Sequence, residues 1–269
     1  FNLISLLIAG GKFDAAATAI DEMKKAIPRD GRSKYLEGLL AFRKNEPAKA
    51  RDAVLQVLIA APEHTPSLLL AGASEFQLGS LSTAADYFKK VLNKAPNNLY
   101  ARNLLVATYM RQGQHGKAED ALAPALVQAP NDPNVLRAAG EVAIASNKLK
   151  DAANYYDRAL ELEKNNSATK TRLAQIRLAS GETDRALADL EATSGTDKTQ
   201  YQSDLALIST YVSRKETEKA LAAVGTLEKK LPNDPLTYSV KGAVFLARND
   251  NKNARLALEK ALALQPTYL

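Results

Sequence analysis

Small and bulky apolar residues return in step along this chain. Ala16, Ala50, Ala84, Ala118, Ala152, Ala186, Ala220 and Ala254 each lie 34 residues after the one before, without exception. Four positions beyond each alanine stands a larger apolar side chain: Ile20, Val54, Phe88, Leu122, Tyr156, Leu190, Val224 and Leu258. A spacing of four places both residues on one face of a helix. Residues that interrupt helices keep the same step. Pro28, Pro62, Pro96, Pro130, Pro232 and Pro266 share one phase, with Lys164 and Lys198 at the two remaining places. Gly11, Asn45, Gly79, Gly113, Asn147, Gly181, Lys215 and Asn249 share another. Gly and Asn are the residue types that best tolerate the left-handed turn closing a helix.

These columns predict a helix-turn-helix unit. Helix A, of about fourteen residues, stops at the Gly/Asn column. Helix B runs through the alanine and the bulky residue and ends before the proline, which cannot continue a helix and biases its predecessor away from one. Fourteen residues make about 21 Å of helix. The alanine marks where B must lie close to A. A single hairpin of this kind cannot bury its apolar face, but stacked neighbours can, so stability is shared along an array. The phase persists through residues 1–30 (lacking the first four positions), 31–64, 65–98, 99–132, 133–166, 167–200, 201–234 and 235–268. The fold class expected is all-α, one array of about eight repeats. Phe1 falls inside a helix, Leu269 opens a ninth unit, and neither end has a polar capping helix. The chain is therefore expected to be a fragment of a longer repeat protein. One unit is irregular. Thr193 replaces a small apolar residue, Ser-Gly-Thr-Asp-Lys-Thr follows at 194–199, and the proline is missing. A shortened helix B and a bend near residues 193–200 are expected there.

The columns resemble the tetratricopeptide repeat (TPR). Gly38, Gly72, Gly140, Ala174 and Gly242 match its small residue in the middle of helix A, while Val106 and Ile208 depart from it. Tyr109, Tyr211 and Phe245 match its aromatic position, while Glu75 and Arg177 do not. Ala125, Ala159 and Ala261 match its second alanine. The resemblance covers the whole chain and implies a right-handed α-solenoid that binds protein or peptide segments in a concave groove lined by helix A. The C-terminal third looks more narrowly like the TPR lipoproteins of exosortase/PEP-CTERM systems, the PrsT family. The residues concerned are Asp204-Leu-Ala-Leu-Ile-Ser, Lys219-Ala-Leu-Ala-Ala-Val, Lys229-Lys-Leu-Pro-Asn-Asp-Pro-Leu, Lys241-Gly-Ala-Val-Phe-Leu-Ala and Leu258-Glu-Lys-Ala-Leu-Ala-Leu-Gln-Pro-Thr-Tyr. That resemblance implies a bacterial envelope protein, periplasmic or outer-membrane-associated, linked to exopolysaccharide export and surface-protein sorting. Its lipid anchor would lie upstream of Phe1. A cytoplasmic adaptor is the alternative.

Composition narrows the function. Apolar residues at 46% and charged residues at 25% are ordinary for a folded protein. The absence of cysteine excludes disulfides, thiol nucleophiles and thiolate metal sites. No apolar run reaches the roughly eighteen residues of a membrane span. The net charge of +6 is spread without blocks, and the basic residues form no one-sided stripe with interleaved aromatics, so nucleic acid is not an expected partner. Only His64 and His115 are available as imidazoles, and they lie in different kinds of turn. Neither a metal site nor a hydrolytic triad is supported. No phosphate-cradling glycine loop appears; Gly10-Gly11 before Lys12 reads as a helix stop. No enzyme activity and no cofactor are expected.

The inner face implied by the resemblance is largely apolar early in the chain, at Tyr35, Leu39, Phe42, Leu69, Ala73 and Phe76. It turns polar and large over residues 99–200, at Tyr100, Asn103, Arg111, Asn134, Arg137, Glu141, Arg172 and Gln175. It becomes bland at Ser209, Ser213, Ser239 and Ala243. Asparagine can bond a peptide backbone, and arginine can hold a carboxylate in a two-pronged fork. The eight polar positions are therefore the expected partner-binding site. The Lys and Asn set of the chaperone-binding carboxylate clamp is not found. Self-association through the uncapped ends is the alternative to partner binding.

Overall fold

A computed structural model describes residues 1–28, 30–196 and 200–266. Sixteen helices account for most of them, in two compact units, 1–130 and 131–269. The first unit holds four hairpins: α1 (Asn2–Ala9) with α2 (Phe13–Ala26), α3 (Gly31–Arg43) with α4 (Pro47–Ala60), α5 (Thr65–Leu78) with α6 (Leu81–Lys94), and α7 (Leu99–Arg111) with α8 (His115–Gln128). The second holds α9 (Pro133–Ala145) with α10 (Leu149–Leu162), α11 (Ser167–Ala179) with α12 (Thr183–Thr196), α13 (Gln202–Ser213) with α14 (Thr217–Lys230), and α15 (Pro235–Ala247) with α16 (Asn251–Leu264). The architecture is the expected all-α series of about eight stacked helix-turn-helix repeats.

Every B helix begins 34 residues after the last, and each is fourteen residues long. The turn column behaves as its residue types predict. Gly11, Asn45, Gly79, Gly113, Asn147, Gly181, Lys215 and Asn249 all have positive φ, and Lys215 holds that conformation despite its β-carbon. The alanine column is almost completely buried at every repeat. A second regularity fixes the start of helix A. Asp30, Asn98, Asp132, Asn166 and Asp234 share one 34-residue phase, and each accepts a backbone N–H of the first helical turn through its side chain. Such caps contribute about 1 kcal/mol each.

The bulky column packs onto the small residue of helix A. A methyl group on Gly72 would come within 2.6 Å of the Phe88 ring, and one on Gly38 within 2.7 Å of Val54. Glycine faces the rings of Phe88 and Tyr156, and it faces Val54 as well, whereas Ile208 stands in the same column in the repeat whose bulky residue is Val224. Polar clips repeat as well. Near the end of helix B, Lys94 reaches back to Glu63 and Gln128 to the carbonyl of Asn97. At the end of helix A, Arg214 reaches Asp184 and Arg248 reaches Glu218.

The expected shortening of α12 is not observed. The helix runs its full length to Thr196. Thr193 and Thr196 turn their hydroxyls onto the carbonyls of Asp189 and Ala192, so these polar side chains are satisfied inside the helix. Lys230 of α14 takes the carbonyl of Ser194 at 3.0 Å. The loss of proline therefore did not require an early stop. Residues 197–199 of the expected bend lie outside the described residues.

Two glycine substitutions test this packing. Gly140→Ala would drive a methyl group into the buried Tyr156 ring and should cost about 1–3 kcal/mol. Gly225→Ala, inside α14 with open space around it, should raise stability by about 0.5–1 kcal/mol. Urea unfolding followed by circular dichroism measures both.

Candidate functional site

Successive A helices touch directly, α1 with α3, α3 with α5, and α5 with α7 in the first unit, and α11 with α13 in the second, a closeness that the B helices do not match. Each unit therefore presents its A helices on the inner side of the stack. The candidate residues lie there, and each unit is described by itself.

In the first unit Tyr100 is 60% exposed at the start of α7. One turn on, Asn103 buries its side-chain oxygen without a hydrogen-bond partner. Arg111 at the end of α7 lies over the Phe76 ring, 4.5 Å from its centroid, and donates to the Phe76 carbonyl at 2.9 Å. It makes no ion pair with a described carboxylate, so its charge faces solvent.

In the second unit the candidates form two networks. Arg137 donates to Glu163 at 2.5 Å and to Asn134 at 2.7 Å. Glu163 also accepts from Asn166, the residue that caps α11. The bonds from Arg137 and then Asn166 hold the Glu163 carboxyl below its ordinary range. Arg172 places Nε and Nη2 on the two oxygens of Glu141, both at 2.7 Å, and reaches Gln175 at 3.3 Å. The Tyr156 hydroxyl donates to Glu141 as well. Burial alone would raise the Glu141 pKa, but the bonds from Arg172 and Tyr156 reverse this and hold it below 4.5. Burial and the Glu141 charge push the Tyr156 hydroxyl up. The arginine fork expected to take a partner's carboxylate is thus filled by the chain's own glutamate, because α9 and α11 bring the two side chains together across adjacent repeats.

Two charged clusters were not anticipated. Arg177, only 4% exposed in the column where an aromatic is expected, bonds Asp157 of α10 at 2.8 Å and Asp189 of α12. Its departure from the aromatic column was the available signal, because a cation in a buried column requires carboxylates beside it. The second cluster ties α12, α13 and α14. Asp204 is fully buried; it accepts from Ser194 and pairs with Lys230 at 2.7 Å. Lys230 also binds the carbonyls of Ser194 and Gln200. Elsewhere His64 bonds Ser67 at 2.8 Å. Among the described residues no group of His, Asp and Glu is arranged to hold a metal, and no helix is long and apolar enough to cross a membrane.

Tetratricopeptide-repeat family models match residues 1–65, 35–99, 75–141 and 143–203. No curated protein matches the chain. Among solved structures, it is similar to a tetratricopeptide repeat protein from Parabacteroides merdae (15% identity, TM-score 0.69, covering 88% of this chain and 94% of that one). It is also similar to PilW, a widely conserved type IV pilus biogenesis factor (18%, 0.70, 77% and 96%). A third likeness is to the quorum sensor NprR from B. thuringiensis in its apo form (17%, 0.66, 97% and 85%). At these identities the likeness shows the fold alone. The chain belongs to the tetratricopeptide repeat family. It is a protein–protein interaction scaffold of a family that binds proteins and peptides and is typically non-catalytic.

Two predictions concern the charged clusters. Lys230→Met leaves Asp204 buried without its cation and should destabilise the second unit by about 3–5 kcal/mol; adding Asp204→Leu should recover much of the loss in urea unfolding. For Glu141, a folded pKa below the unfolded value means a contribution present above the unfolded value and lost as pH falls through the folded one. Glu141→Gln should therefore be less stable than the parent at neutral pH, and the gap should close as pH falls below 4.5. Melting temperatures across that range measure it.

Proposed function

We propose that this scaffold grips extended or helical partner segments along its A-helix face. The contacts are Tyr100, Asn103 and Arg111 in the first unit, and Asn134, Arg137, Glu141, Arg172 and Gln175 in the second. The observation that carries the proposal is Tyr100, a large aromatic left 60% exposed at the start of α7, beside the unpartnered side-chain oxygen of Asn103. Tyrosine supplies contact area at low entropic cost and recurs among residues that dominate binding. In the second unit, ion pairs internal to the chain hold Asn134 and Gln175 in place, so recognition there falls to hydrogen bonds at the edges of the two networks. The resemblance of the C-terminal third supports a finer reading. The partners belong to a bacterial envelope assembly linked to exopolysaccharide export and surface-protein sorting, in the periplasm or at the outer membrane.

Capture from envelope extracts with the intact chain, compared with Tyr100→Ser and Gln175→Ala, tests both levels. Neither substitution should shift the melting temperature appreciably, since exposed positions tolerate change within about 0.5 kcal/mol. Polysaccharide-export or sorting components should be retained by the parent and depleted with the variants. Equal capture by all three would remove the site, and cytosolic partners alone would remove the envelope reading.

A further inference from the structure

Local signals start most A helices: a proline, and two residues later an Asn or Asp whose side chain caps the helix. α3, α7, α9 and α15 have both. α5 keeps Pro62 without a side-chain cap, and α11 keeps the Asn166 cap without the proline. The approach to α13 has neither. Lys198 stands in the proline column and Gln200 in the cap column, and α13 starts from Tyr201 with no side-chain cap.

Lys230, the last residue of α14, takes over from a distance. Its Nζ donates to Asp204 Oδ2 at 2.7 Å, to the Ser194 carbonyl at 3.0 Å and to the Gln200 carbonyl at 3.2 Å. An ammonium has three donors, and these three oxygens use them all. The other oxygen of Asp204 accepts the Ser194 hydroxyl. The acceptors come from the end of α12, the approach to α13 and the first turn of α13. The Asp204 side chain is fully buried and that of Lys230 nearly so, so salt screens these bonds little. In no other repeat do the two columns carry opposite charges; in the hairpin of α9 and α10 they hold Leu136 and Leu162.

We infer that Lys230 is a catch holding the hairpin of α11 and α12 to the hairpin of α13 and α14, and that this junction opens as a unit when the ammonium leaves, with both hairpins still folded. A cap acts between neighbours in sequence and lasts as long as its helix. This catch comes from 26 residues beyond Asp204, so the junction closes only on a complete α14. Its bonds meet at one atom, so they break together. Opening returns Asp204 and Lys230 to water, and their rehydration offsets much of the lost attraction. Segments held by few apolar contacts open at lower free energy than the whole fold. The junction is therefore a built-in flex point of the second unit, whatever partner the scaffold binds.

Native-state hydrogen exchange of the whole chain reads the opening. The Leu205 amide, bonded to the Tyr201 carbonyl, should exchange at a rate that low urea barely changes, while amides in the middle of α10 should exchange only through urea-sensitive global unfolding. Asp204→Leu with Lys230→Leu copies the pair at Leu136 and Leu162. It should keep the unfolding midpoint yet speed exchange at the junction by about tenfold, the scale of hydrogen bonds to a charged group. Adding Gln200→Asp, which supplies the cap of the other A helices, should slow it again. A second measurement needs no variant. Sulfosuccinimidyl acetate should acetylate exposed Lys229 at once and Lys230 at the slower rate of junction opening, again flat in low urea. Lys230 labelling that tracks Lys229, or that appears only with global unfolding, overturns the inference. So does a leucine pair that leaves exchange at the junction unchanged, or a Gln200→Asp that fails to restore it.

Discussion

The close approach of helix B to helix A within each hairpin is the constraint on which the other features depend. It is set by one alanine and one complementary pair, a small residue on A and a bulky one on B, as with Gly72 and Phe88 or Gly140 and Tyr156. Interiors packed at crystal-like density tolerate little error in volume. The pair therefore fixes the distance between the two helices, and with it the angle at which the next repeat arrives. The Asn and Asp caps, the left-handed turns and the polar clips act on a geometry that this contact has already chosen.

Charge is used in two ways on that frame. Arg177 and the Lys230–Asp204 pair sit where apolar side chains would otherwise pack. Removing taken-up partners from such places is costly, while the pairs themselves add little net stability. Their effect is on specificity. Asp204 can be buried only if Ser194 and Lys230 arrive together, which ties the end of α12 to α14. On the inner side, Arg172 joins α11 to Glu141 of α9, and Arg137 joins α9 to Glu163 at the end of α10, whereas Arg111 makes no ion pair with a described carboxylate.

Most of the fold was legible in the alanine, bulky and turn columns, because each reports a local requirement repeated eight times. The cap column at Asp30, Asn98, Asp132, Asn166 and Asp234 keeps the same period, broken at His64 and Gln200, and was legible beside the apolar residues. The length of α12 was not legible, because missing proline argues about where a helix must stop and not about where it can continue. For the candidate site, the columns named the residues that face inward. They could not say that Arg172 meets Glu141, since that depends on how far apart consecutive A helices stand.

The fork between Arg172 and Glu141 has a thermodynamic consequence. A carboxylate that binds there must first evict a carboxylate, so the event is an exchange in which the number of ion pairs is conserved. Added salt screens both sides of such an equilibrium alike and leaves the affinity nearly flat. At Arg111, which makes no ion pair with a described carboxylate, the same ligand chemistry would meet an open charge and feel the full screening of the medium. The two arginines thus differ in their sensitivity to ionic strength.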